Sequence, residues 1–97
     1  MSAYIVFVRD KMNDAAAYAA YGPKAVATLA DHPAKPLTVN GALTPLEGAC
    51  PDGVVIIEFP SVEAARAWYE SPAYQAVAGE RLGATEGRAV IVEGLQG

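Results

Sequence analysis

The chain has 97 residues, of which 53% are hydrophobic and 19% charged, and its formal net charge at pH 7 is −4. This length predicts a single domain, and no apolar run approaches the roughly 20 residues that a membrane-spanning helix needs. The acidic balance, with seven basic residues scattered along the chain, argues against nucleic acid as a partner.

The first predicted strand spans 3–8, because residues 4–8 are all β-branched or aromatic. The helix that follows is expected to begin after Asn13 or Asp14, whose side-chain oxygen can accept a hydrogen bond from a free backbone N–H. Residues at three- and four-residue spacing give this helix one apolar face. That face consists of Tyr18, Tyr21, Ala25 and Leu29.

A glycine-proline pair, Gly22-Pro23, lies inside this helical segment. Proline in a helix interior costs about 3 kcal/mol or more, so we expect a kink or two short helices. A connector over 32–36 then leads to a second predicted strand over 37–43. The turn-forming residues after that strand predict a loop over 44–53.

Two further strands are predicted over 54–59 and 88–93, both rich in β-branched residues. Between them, Ser61 and Ser71 are expected to cap two consecutive helices. Pro72 then occupies the first position of the second helix, where its missing N–H matters least. This second helix is expected to place its apolar side chains on one face, formed by Tyr74, Val77, Ala78 and Leu82.

The predicted order is β-α-β-β-α-β, with an extra short helix before the last strand. We therefore predict an α+β, ferredoxin-like fold over the single domain 1–97, with a four-stranded antiparallel sheet and helices on one face. The strands are apolar on both faces instead of alternating. Since the helices cover only one face, we expect a homodimer to cover the other. A bound ligand or a different partner protein is the alternative.

A sequence pattern over 57–75 carries a family resemblance: IEFPS is followed by AA, AWY, SP and YQ. This pattern resembles the DUF1330 family of uncharacterised bacterial proteins. The Leu46-Glu47-Gly48 turn and the closing VIVEG segment at 90–94 also resemble that family, so the likeness extends over nearly the whole chain. The resemblance implies the dimeric α+β barrel superfamily, in which two ferredoxin-like sheets face each other, and it implies no established activity.

The superfamily implied by this resemblance includes cofactor-independent monooxygenases, haem-degrading enzymes, lactone isomerases and small-ligand sensors. Their sites lie in an apolar cleft between sheet and helices. Trp68, Tyr69 and Tyr18 are therefore candidates for binding a ligand, with plain core packing as the alternative. Asn40 is a further candidate, because with Trp68 and His32 it resembles the set used by haem-degrading relatives. An ordinary turn asparagine is the alternative there.

Two side chains are candidate catalytic groups. His32 is the only histidine, and its unperturbed pKa lies near neutrality, so it could transfer protons. Its place in a connector agrees equally with a solvent-exposed histidine. Glu58 lies inside an apolar strand, where a carboxylate should be paired or have a raised pKa. The structural alternative is an ion pair with a basic residue, the choices being Arg66, Arg81 and Arg88.

The chain has one cysteine, Cys50, so an intrachain disulfide is excluded. No signal peptide is visible, and both features are typical of the reducing cytoplasm, where we expect the protein to be. Cys50 has neither a CxxC partner nor a neighbouring base, so an unreactive thiol is expected. No Cys/His spacing indicates zinc, and we expect neither a metal nor a cofactor.

Three functions remain open from the sequence. The first is an enzyme that holds a small organic molecule in the cleft and uses Glu58 or His32 for proton transfer without a cofactor. The second, favoured by the lack of nucleophile and metal motifs, is a ligand-binding or sensing module without catalysis. The third is an RNA-binding sheet, which needs exposed aromatic residues and a basic surface. A pI of about 4.8 opposes this third interpretation.

Overall fold

A computed structural model of the chain describes residues 2–95, which form four strands and three helices. The predicted α+β, ferredoxin-like order is confirmed, including the extra helix before the last strand. In chain order the elements are β1 (Ala3–Met12), α1 (Ala15–Thr28), β2 (Lys35–Val39), β3 (Gly53–Phe59), α2 (Val62–Tyr69), α3 (Pro72–Ala84) and β4 (Thr85–Glu93).

The strands form one antiparallel sheet in the order β2-β3-β1-β4. Alternate side chains of β1 point to opposite faces of this sheet. Ala3, Ile5 and Phe7 are buried against the helices, on what we call the helix face. The other side, the open face, is apolar over most of its area, as predicted. It carries Tyr4, Val6, Val8, Val54, Ile56, Val90 and Val92, with Thr38 on the edge strand, Glu58 beside Lys35 at one end and Arg88 towards the other.

The core lies between the helix face and the three helices, and Trp68 of α2 is at its centre. This indole is 1% exposed, and its ring lies 4.3 Å from that of Tyr74 and 5.9 Å from that of Phe59, measured between centroids. Its Nε1 donates to the hydroxyl of Thr28, 2.9 Å away, at the end of α1. The only indole N–H is thus bonded at the edge of the core.

All three helices begin at the caps that the sequence predicts. The side chain of Asp14 accepts a hydrogen bond from the backbone N–H of Ala17 at 3.0 Å. Ser61 and Ser71 make the equivalent bonds in α2 and α3, at 3.1 and 3.2 Å. Each cap satisfies one of the backbone donors left free in a first helical turn.

The expected interruption of α1 at Gly22-Pro23 is wrong in one respect, since α1 is a single helix through Pro23. A proline clashes with the Cβ atom of the residue before it, and Gly22 has none. Pro23 and Ala19 are both exposed, so the carbonyl of Ala19 that loses its hydrogen-bond donor lies on the outer side of the helix. Both circumstances reduce the cost of proline at this position.

The second strand ends at Val39 and not at residue 43 as predicted. Asn40 adopts a positive φ of 55°, which ends the extended backbone, and residues 40–52 form a loop. Asparagine tolerates this left-handed conformation better than most residues. Asn40 is therefore held where the edge strand turns away from the sheet.

Leu82 is 62% exposed, so its predicted place on the buried face of α3 is wrong. Tyr74 and Ala78 are buried as expected, and Val77 packs against the core. The position that completes this face, two turns after Tyr74, is occupied by the half-buried Arg81. Within residues 2–95, no helix combines the length and the apolar character that crossing a membrane requires.

Candidate ligand-binding cleft

An apolar cleft with a volume of about 210 Å³ opens between the helix face of the sheet and α1, beside the edge strand β2. The residues of α1 that border it include the small Gly22 and Ala25. Its apolar lining includes Ala25, Val26, Leu29, Pro36, Val39 and Ile57, with Phe7, Val55 and Trp68 deeper towards the core.

Three of the four predicted ligand-binding residues line this cleft. Trp68 borders it from the core, Tyr18 from α1 and Asn40 from the end of β2. The positions of Trp68 and Asn40 also agree with core packing and with a turn residue, respectively. Their roles in binding remain predictions, but the fold brings these side chains to one place.

A network around Arg9 lies beside the cleft and meets it through Tyr18 and Asn40. The amide Nδ2 of Asn40 donates to the hydroxyl of Tyr18 at 3.1 Å, and Arg9 Nη1 donates to Asn40 Oδ1 at 3.2 Å. The guanidinium of Arg9 also lies 4.7 Å from the centroid of the Tyr18 ring. Its charge is balanced by Asp52, because Arg9 Nε lies 3.1 Å from a carboxylate oxygen of that residue. This network fixes the orientation of the Tyr18 ring.

A second polar group lies where α1 and α3 meet. Arg81 Nε donates to the hydroxyl of Tyr74 at 3.2 Å, and that hydroxyl lies 2.8 Å from the hydroxyl of Tyr21. Arg81 and Tyr21 both line the cleft. The guanidinium of Arg81 lies 5.0 Å from the centroid of the Phe7 ring. Among residues 2–95, no carboxylate lies within ion-pair distance of Arg81.

Burial raises the pKa of Tyr21 well above its ordinary value of 10.0. Burial alone would lower the pKa of Arg81. The Tyr74 hydroxyl beside it more than offsets this effect, and the pKa of Arg81 lies above its ordinary value. At neutral pH this end of the cleft therefore holds a neutral phenol next to a guanidinium cation.

Glu58 lies on the open face, and the cleft lies on the helix face. Its carboxylate accepts a hydrogen bond from the hydroxyl of Tyr4, its neighbour on β1, at 3.3 Å. The expected ion pair of Glu58 with an arginine is wrong. Arg66 is on the helix side, paired with Glu70, and Arg88 pairs with Asp10 at the far end of the open face.

The two other predicted residues also lie outside the cleft. His32 is half-buried in the turn after α1, where its backbone N–H donates to the carbonyl of Leu29 at 3.0 Å. Tyr69 packs against Trp68 and Tyr74, with ring centroids 6.4 and 5.4 Å away. It borders a shallow depression towards β4. Catalysis by His32 and ligand binding by Tyr69 therefore stay predictions without a place in this cleft.

Two residues that line the cleft, Tyr21 and Arg81, and Arg9 beside it were not predicted from the sequence as site residues. Arg81 had a detectable signal, because it follows Tyr74 by two helical turns and so places a cation on the apolar face of α3. Tyr21 was assigned only to a packing face. No local pattern marks Arg9, since its partners Asn40 and Asp52 are distant in sequence.

The described part of the chain contains no cluster of three His, Cys, Asp or Glu side chains that could hold a metal ion. Cys50 is exposed in the loop over 40–52, which is separate from the cleft.

Comparison with known proteins identifies relatives by family and by fold. A model for the family described as a domain of unknown function, DUF1330, matches residues 2–95. The crystal structure of a protein of unknown function from Rhodopseudomonas palustris is similar, with a TM-score of 0.73 and 21% identity over 99% of this chain and 84% of that chain. The methylated form of that protein gives a TM-score of 0.75 and 24% identity, over 98% and 82% of the two chains. Likeness at these identities shows the fold alone, and no curated protein matches the chain.

Proposed function

The chain belongs to the DUF1330 family, and from this starting point we propose that it binds a small, largely apolar organic molecule in the cleft between the sheet and α1. The observation that carries the proposal is a cleft of about 210 Å³ with apolar walls and a few polar groups at its end. This combination is typical of small-molecule sites. An apolar cavity of about 150 Å³ is enough to hold benzene.

Binding without catalysis is the form of this proposal that the cleft favours. The titratable side chains that line it are Tyr18, Tyr21 and Arg81. Neither His32 nor Glu58 lines it, so the hypothesis of proton transfer by these two residues gains no support from the geometry. We therefore infer a ligand-binding or sensing role.

Trp68 provides the experiment that tests binding, since it is the only tryptophan and borders the cleft. Titration with benzyl alcohol, a neutral aromatic probe, should change its fluorescence saturably. Ala25→Phe places a ring in the cleft and should weaken this binding at least tenfold. The matched control is Ala27→Phe on the exposed side of α1, which should leave the affinity within twofold.

Two outcomes would contradict the proposed binding site. One is a fluorescence change that grows linearly with probe concentration in the wild-type protein. The other is equal affinity in the wild-type, Ala25→Phe and Ala27→Phe proteins, once circular dichroism has shown that all three are folded.

The open face supports a second part of the proposal, a homodimer in which another copy of the chain covers it. The central row of this face, which includes Val6, Ile56 and Val90, is apolar. Glu58 has the oppositely charged Lys35 as its cross-strand neighbour, and Arg88 pairs with Asp10. The apolar surface, and not charge pairing between the two copies, therefore supports the proposed two-fold interface.

The dimensions of the open face agree with such an interface. Four strands about 4.8 Å apart, each about seven residues long, give a flat area of roughly 450 Å². That is over half of the roughly 800 Å² that each partner buries in a stable complex. The accessible area is larger than this flat area, because side chains project from the sheet. Val90 and Val92 are 56% and 49% exposed in the single chain, so they have apolar surface left to bury.

We also propose a cytoplasmic location. The support is the exposed, unpaired thiol of Cys50, which a reducing compartment preserves.

A further inference from the structure

Arg81 is a half-buried cation at the end of the cleft, and within residues 2–95 no carboxylate neutralises it. Burial of a charge is costly unless a partner of opposite sign is present. The adjacent carboxylate in sequence, Glu80, is already bound to Lys24 at 3.0 Å. Arg9, in the network beside the cleft, has Asp52 as its partner. Lys24 and Arg9 are thus paired with carboxylates, whereas the charge of Arg81 is left for an anionic ligand to balance.

Arg81 lines the cleft, and its hydrogen bonds within residues 2–95 leave its terminal nitrogens available. Its Nε–H is used by the hydroxyl of Tyr74, which accepts it at 3.2 Å. The Tyr74 hydroxyl can then donate to that of Tyr21, 2.8 Å away, and so leave the Tyr21 proton for a ligand. A tyrosine of ordinary pKa already keeps its proton at neutral pH, and burial raises the pKa of Tyr21 further. The terminal nitrogens of Arg81 and the hydroxyl of Tyr21 therefore form a donor pair.

We propose that the ligand of the cleft is a carboxylate with a compact apolar body, bound through its carboxylate by Arg81 and Tyr21. This inference rests on the proposed function and adds the charge of the ligand to it. The planar guanidinium matches the two oxygens of a carboxylate, and a desolvated pair of this kind is strong. The apolar body lies against Leu29, Val39 and Ile57. A cleft of about 210 Å³ has room for one ring or a short chain beside the carboxylate.

Benzoate and benzamide are the matched probes, because they share a ring and a planar head group and differ in charge. Isothermal titration calorimetry should show that the wild-type protein binds benzoate at least tenfold more tightly than benzamide. Arg81→Gln should reduce this preference to within twofold. Arg81→Lys keeps the charge without the planar fork and should retain part of the preference.

The control is Arg66→Gln, which makes the same change of net charge at an exposed residue outside the cleft. Its preference for benzoate should equal that of the wild type; a reduced preference in Arg66→Gln would mean that net charge alone affects binding.

Equal binding of benzoate and benzamide by the wild type would overturn the carboxylate assignment. A preference that persists in Arg81→Gln would overturn it too. If benzyl alcohol still binds in either case, the proposed cleft stands. If none of the three probes binds to the wild type, the cleft proposal fails together with this inference.

Discussion

The hydroxyl pair of Tyr21 and Tyr74 is the polar contact on which both the core and the cleft depend. Tyr74 is fully buried and Tyr21 is 7% exposed, so each hydroxyl needs a partner inside the protein. They provide it for each other at 2.8 Å, and Arg81 adds a charge-assisted bond to Tyr74. This contact joins α1 to α3 inside the core.

The raised pKa of Tyr21 predicts a loss of stability in alkali. Its folded pKa lies above the ordinary value of 10.0, so above that pH the folded chain keeps a proton that the unfolded chain has lost. Stability is then fully present below pH 10 and falls as pH rises, by up to about 1.4 kcal/mol per pH unit for one group. Tyr21→Phe removes this contribution, and its free energy of unfolding should decline less steeply between about pH 10 and 11.

Urea denaturation followed by Trp68 fluorescence at a series of pH values measures this difference. Below about pH 9 the two proteins should show the same pH dependence, which is the internal control. Parallel curves for wild type and Tyr21→Phe at higher pH would show that Tyr21 does not titrate differently on folding.

At the scale of elements, Gly87 sets how closely β4 approaches β1. It pairs with Arg9 just before the register shift between Arg9 and Lys11. A Cβ atom at position 87 would collide with the backbone carbonyl oxygen of Val8. Backbone atoms inside a sheet cannot move aside as a flexible side chain can, so the strands would have to separate.

Gly87→Ala should therefore destabilise the protein by about 1–3 kcal/mol, the usual cost of overpacking. The matched control is Gly79→Ala in α3, where a Cβ atom meets no atom within 4 Å. That change should stabilise the protein by about 0.5–1 kcal/mol, because alanine is the better helix former. The midpoints of chemical denaturation measure both values. The same sign for the two substitutions would contradict the steric role of Gly87.

The elements that local chemistry determines were predictable from the sequence. Ser61, Ser71 and Asp14 mark helix starts because a short side-chain oxygen satisfies the first turn wherever the helix lies in the fold. The central parts of the strands followed from runs of β-branched residues. β1 continues to Met12 and β4 begins at Thr85, beyond the predicted 3–8 and 88–93, because these added residues pair with each other. The end of β2 was not predictable in this way, since Asn40 is held by Arg9 and Tyr18 from other elements.

The candidate site was only partly predictable, because a cleft depends on which elements face each other. Trp68, Tyr18 and Asn40 were expected near a ligand, and they line the cleft. Glu58 was expected there as well. Because side chains alternate along a strand, Glu58 points to the face opposite that of Ile57 and Phe59. The sequence does not show which of these two faces the helices cover. The cation of the cleft, Arg81, depends on the packing of α3 against α1.

At the scale of the whole molecule, the chain has one covered and one uncovered sheet face. The helices bury Ile5, Phe7 and Ile57, while Val90 and Val92 on the opposite face keep about half their surface exposed. Apolar patches of several hundred Å² are rare on soluble monomers. The cleft is on the helix side, so a partner on the open face would leave its residues in place.

A substitution on the open face should therefore separate the proposed dimer without unfolding the chain. Val90 is 56% exposed in the single chain, so Val90→Asp costs little there. In a two-fold dimer the change buries two carboxylates in an apolar interface, and we expect dimerisation to weaken at least about 100-fold.

Leu82→Asp is the matched control, because Leu82 is 62% exposed on the helix side. By sedimentation equilibrium, wild type and Leu82→Asp should have twice the chain mass of 10.1 kDa, and Val90→Asp about that mass. A wild-type protein that stays monomeric at micromolar concentration, or a Val90→Asp protein that still dimerises, would show that no second copy covers this face.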